Sequence, residues 1–125
     1  MAYNILVVDD SETVRAVIAK AIEMSGAGVK ALFTAANGQE ALDILGREWV
    51  DLVFADINMP VMGGVEMVKR MKADADMKEI PVVIVSTEGS ATRIKGLMES
   101  GVRAFLRKPF TPEGLKTTID GIMGK

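Results

Sequence analysis

The positions that could do chemistry share one address: each lies just beyond a short apolar run. Asp9 and Asp10 follow residues 5–8 (ILVV), and Asp56 follows residues 52–55 (LVFA). Ser86 and Thr87 follow residues 82–85 (VVIV), and Lys108 comes shortly after residues 104–106 (AFL). Three carboxylates drawn into one crevice repel, and the repulsion grows as solvent is excluded. A cation in the crevice relieves it. All-oxygen ligation suits a hard ion, and Mg²⁺ takes one or two carboxylates together with water and phosphate oxygens. A lysine adds a fixed positive charge. A site with both is suited to receiving a phosphoryl group.

Taken singly, each residue has a blander reading. Asp9 could cap a helix, Asp56 could open a turn before Met59-Pro60, Ser86 and Thr87 could be turn residues, and Lys108 could be solvated. Only convergence separates the two readings, so the elements that carry these residues decide the matter.

Short apolar runs alternate with helical periodicity. Strands are expected over residues 4–8, 30–35, 51–55, 81–85 and 103–106, apolar at consecutive positions, as in parallel strands covered on both faces. The first helix carries Val14, Val17, Ile18, Ala21 and Ile22 on one face. Asn37 and Glu40 form a capping pair for the second, which buries Ala41, Leu42 and Leu45. A third helix over 64–72 turns Val65, Val68 and Met71 inward. A fourth, over 91–100, turns in Ile94, Leu97 and Met98 and stops at Gly101. Thr111 caps the fifth, with Pro112 at its first position and Leu115, Ile119 and Ile122 inward. Five β/α units imply an α/β fold, a doubly wound five-stranded parallel sheet with helices on both faces. Ligands bind such sheets beyond the carboxyl ends of the strands, where the polar residues stand.

The 125 residues suffice for a single domain, 1–125. A formal net charge of −2 gives no basic surface for nucleic acid. Cysteine and histidine are both absent, which excludes disulfides, thiolate and imidazole metal sites, Ser-His triads and a phosphohistidine on this chain. No apolar run approaches the roughly 20 residues of a membrane span, and no signal-peptide pattern opens the chain, so no membrane association and a cytoplasmic location are expected.

The series VVDD, DINMP, VSTE and KPF, each directly after an expected strand, resembles the receiver domain of two-component response regulators, of the single-domain chemotaxis (CheY-like) type. The likeness spans roughly residues 3 to 123 and implies the flavodoxin-like strand order 2-1-3-4-5. It implies that Asp56 is the phosphoacceptor, that Asp10 and Asp56 are direct Mg²⁺ ligands, that Asp9 acts through water, and that Asn58 offers its backbone carbonyl. Ser86 and Lys108 resemble the residues that meet the phosphoryl group, Phe105 the aromatic switch, and Asn58 and Glu88 the positions that tune hydrolysis. The implied donor is a sensor histidine kinase. The implied output is phosphorylation-dependent binding of a downstream protein, with a flagellar motor switch as the chemotaxis-type expectation. The chain would catalyse its own phosphotransfer and a slow autodephosphorylation, as a monomer.

Departures from that pattern are local. Gly63 stands where an aspartate is usual, which should weaken the start of the third helix, and Gly64 should add looseness. Phe105 replaces a common tyrosine. Trp49, at the opposite strand ends, is expected to pack the floor of the domain. With no output domain after the fifth helix, partner binding is expected on the face of the fourth helix, fifth strand and fifth helix, through Arg107, Lys95 and Phe105. A phosphate sink or relay, or a domain from a larger regulator, would look the same. An aspartyl phosphatase needs an acid two residues past its nucleophile, where Ser11 and Asn58 stand. A flavin carrier needs a phosphate loop where DDSETVR stands.

Overall fold

The computed structural model describes residues 3–87 and 91–124. Strands β1 (Tyr3–Val8), β2 (Val29–Ala35), β3 (Leu52–Ala55), β4 (Val82–Ser86) and β5 (Ala104–Arg107) alternate with helices α1 (Glu12–Met24), α2 (Gly38–Leu45), α3 (Gly64–Lys72), α4 (Ala91–Glu99) and α5 (Pro112–Met123). All strand pairs are parallel, in the order β2-β1-β3-β4-β5. That is the expected order, with no strand limit shifted by more than one residue.

The sheet divides the core into two compartments, because alternate residues of each strand face opposite sides. Leu6, Val8, Val53 and Ile84 face α2, α3 and α4, where Ala41, Met67, Met71 and Leu97 meet them. Ile5, Val7, Phe54 and Val85 face α1 and α5, packing on Ile18, Ile22, Leu115 and Ile119. The central strands β1, β3 and β4 are buried almost throughout, and the edge strands β2 and β5 are half-exposed.

The starts of α2 and α5 are held as their sequences predict, and Ser11 rather than Asp9 caps α1. Ser11 Oγ accepts the Val14 N–H, Asn37 Oδ1 accepts the Glu40 N–H while Glu40 Oε1 accepts that of Ala36, and Thr111 Oγ1 accepts that of Gly114. Gly101, at φ +106°, ends α4. Three apolar residues depart from expectation. Val17 is 57% exposed because it lies at the margin of the α1 stripe, and Met98 is 42% exposed for the same reason on α4. Trp49 is 77% exposed and does not pack the floor: its Nε1 donates to Asp51 Oδ1, which holds the ring at the surface. The methionines at 62, 67 and 71 are buried in the core. Among the described residues, no helix is long and apolar enough to cross a membrane.

Candidate functional site

Hydrogen bonds at the carboxyl ends of the strands bring the separated acids together. The Asp9 N–H donates to Ala35 O at the end of β2, and the Asp56 N–H donates to Val8 O at the end of β1. Each acid is thus fixed to the neighbouring strand. Asp9 is buried, with Oδ1 accepting the Ser11 N–H at 2.9 Å; Asp10 stands at the rim. One carboxylate oxygen from each of Asp9, Asp10 and Asp56 can be chosen so that all lie within 4.8 Å of one another.

Lys108 enters from the β5 end. Its N–H donates to Ser86 O at 2.9 Å, and its Nζ lies 3.3 Å from Asp9 Oδ2 and 3.9 Å from Asp56 Oδ2. The bond to Pro109 that follows is cis. Ser86, the last residue of β4, is buried, and its side chain hydrogen-bonds the Asp56 carboxylate. The sequence-predicted Asp9, Asp10, Asp56, Ser86 and Lys108 therefore converge.

Burial pushes the Asp56 carboxyl above its ordinary value, and the neighbouring Asp9 carboxylate pushes the same way. The Ile57 N–H, donating to Asp56 Oδ1 at 2.8 Å, opposes this together with Lys108 and Ser86. The donor set is hard oxygen, with one ammonium group among it. It fits Mg²⁺, which prefers such oxygens and keeps several waters.

The remaining candidates are placed less closely. Asn58 is exposed at the start of the β3–α3 loop. Phe105 pairs with Ile84 across β4–β5 and is half-buried against the α4 side of the core. Glu88 lies outside the described residues. Arg107 and Lys95 are exposed.

Sequence reasoning missed two supports. Arg15, one turn into α1, donates from Nη1 to Asp9 O at 2.6 Å; the two are six residues apart, with no helical spacing in the sequence to signal the pair. The glycine pair also acts differently from expectation. Gly63 caps α3 without a side-chain bond, as predicted, but the pair is a close-approach device and not a source of looseness. A Cβ on Gly63 would lie 2.7 Å from Ile57 O, and one on Gly64 would overlap the Asp56 carbonyl. The aspartate usual at position 63 would need this loop to shift.

A family model described as response regulator receiver domain matches residues 5–120. A "Chemotaxis protein CheY homolog" of Campylobacter jejuni is 36% identical over 97% of this chain and 92% of its own length. "Two-component response regulator ORR5" of rice is 42% identical over 98% of this chain and 90% of its own. The solved structure of chemotaxis response regulator CheY4 of Vibrio cholerae superposes with a TM-score of 0.86 at 32% identity, covering 98% of this chain and 99% of that one.

Proposed function

The chain belongs to the response regulator receiver domain family, and from that premise we propose that Asp56 accepts a phosphoryl group from a phosphohistidine on a partner kinase and thereby switches binding to a downstream protein. The observation that carries the reading is the junction of three carboxylates within 4.8 Å with Lys108 reaching two of them. An Asp56 carboxylate oxygen attacks phosphorus; the P–N bond breaks, and its electron pair leaves with the donor imidazole, which takes up a proton. The product is an acyl phosphate. The donor is external because the chain has no histidine.

Asp9, Asp10, Asp56 and the Asn58 backbone carbonyl would hold Mg²⁺, which neutralises charge on the transferring phosphoryl oxygens when bound. Lys108 supplies a fixed charge beside the acceptor and needs no rearrangement to do so. The Ile57 N–H and Ser86 orient the acceptor carboxylate. Asn58 and Glu88 stand two residues beyond Asp56 and Ser86 in the sequence and resemble the positions that tune hydrolysis of the acyl phosphate.

Ser86 then donates to one of the three new phosphoryl oxygens. Its backbone joins the Lys108 N–H, so a shift of Ser86 is felt at the end of β5 and at Phe105. Phe105 and the exposed Arg107 and Lys95 form the output surface. A motility-type protein target suits the chemotaxis relatives, and a cytoplasmic monomer suits both donor and target.

Incubation with acetyl phosphate, with and without Mg²⁺, tests the reading on wild type and Asp56→Asn. Intact mass should gain one phosphoryl group only with the metal and only on wild type. Labelling of Asp56→Asn at the wild-type rate, or indifference to Mg²⁺, overturns it. A Ser86→Ala protein whose Phe105 environment still responds fully to beryllofluoride would refute the coupling.

A further inference from the structure

At the end of the sheet opposite the acids lies a groove of about 460 Å³ between the α2–β3 and α3–β4 connections. Val50, Ile80 and Pro81 give it an apolar floor, and the 77%-exposed ring of Trp49 forms one wall. Four carboxylates line it, from Glu48, Asp51, Asp76 and Glu79, and among the described residues no basic one does. Glu48, Asp76 and Glu79 are exposed and take part in no ion pair among the described residues. The whole chain carries a net charge of only −2, so this is a local concentration of acid.

The Trp49 ring is held ready for a partner. Its Nε1 donates to Asp51 Oδ1 at 2.9 Å, while Asp51 Oδ2 accepts the Asn4 N–H at 2.8 Å. The Trp49 carbonyl accepts from Asn4 Nδ2 at 2.8 Å. The ring is tied through Asp51 and the Trp49 backbone through Asn4, so less freedom remains to be lost on binding.

We propose that this groove docks an arginine-bearing apolar segment of a partner protein. The planar guanidinium can stack on an indole face and pair with a carboxylate at once, which a lysine ammonium does less well. Aliphatic neighbours of the arginine would cover the apolar floor. The groove lies at the start of β3 and Asp56 at its end, about 16 Å apart along the strand. A segment docked here leaves the acidic site open, so the proposal stands or falls independently of the phosphorylation chemistry.

Trp49 is the single tryptophan, so its fluorescence reports on the groove directly. The probe is an acetylated, amidated pentapeptide alternating arginine and leucine, with a glutamate-for-arginine peptide and arginine methyl ester as controls. The expected result is a saturable emission change with the basic peptide, abolished in 1 M salt as charge screening requires, at roughly a 3 Å Debye length. The triple variant Glu48→Gln, Asp76→Asn, Glu79→Gln should bind about tenfold more weakly. Its substitutions are all exposed, and an unchanged thermal melt verifies the fold. Calorimetric titration of Trp49→Ala should show a similar loss. The proposal is overturned by no saturable change, by equal binding by the triple variant, by equal binding of the acidic peptide, or by saturation by arginine methyl ester at the same concentration, which would mark a small-cation site. Saturation with rising protein concentration alone would mark a second copy as occupant and overturn it too.

Discussion

The Cα of Gly64 lies against the backbone carbonyl of Asp56 so closely that no side chain fits between them. The first turn of α3 therefore clamps the residue just past β3, and the Gly64 N–H donates to Ile57 O at 2.8 Å to close the loop. Gly64→Ala should cost about 1–3 kcal/mol, as overpacking against a fixed backbone does, and should slow acetyl-phosphate labelling of Asp56. Gly121→Ala on the open side of α5 meets nothing within 4 Å and should add about 0.5–1 kcal/mol. Urea denaturation of the two variants checks the opposite signs.

Ionised Asp56 works against folding in the absence of metal. Its folded-state pKa is raised by burial, so the folded protein holds the proton to higher pH than the unfolded chain does. Its contribution to stability is lost as pH rises from the ordinary carboxylate value through the raised one. Asp56→Asn should flatten that decline and raise Tm at pH 7. Thermal melts across pH in EDTA test this, and Mg²⁺ should narrow the difference.

Lys108 is the cation that Asp9 and Asp56 share. Replacing it with methionine leaves the buried Asp9 facing Asp56 without compensation, at a cost of about 1–3 kcal/mol in EDTA. The same change removes a charge that opposes cation entry, so Mg²⁺ should bind several-fold more tightly by calorimetry.

Val61 occupies left-handed backbone at φ +67° and is 84% exposed. A β-branched residue is strained there and has little packing to lose. Val61→Asn should stabilise by about 1 kcal/mol, read as a higher urea midpoint with unchanged m-value.

The strands and the acids were legible because the runs at 5–8, 52–55 and 82–85 are apolar at consecutive positions and each ends on a polar residue. The helix caps at Asn37 and Thr111 were legible because their partners lie three residues away. What could not be read depended on distant contacts. Gly63 and Gly64 look like weak helix formers until the Asp56 and Ile57 carbonyls lie against them. Trp49 looks like core until Asp51 and Asn4 are seen tying it outward. Val17 and Met98 sit at the margins of their helical stripes, where the neighbouring packing alone decides exposure.

The sheet is a wall one strand thick, and Phe105 stands on one side of it only, with α4. Under the proposed switch, a Phe105 ring that relocates would do so on the α4 side, across the sheet from Ile18, Ile22, Leu115 and Ile119. Substitutions among those four would then tune how durable the molecule is while leaving the ring's own compartment intact, so durability and response could evolve at separate rates.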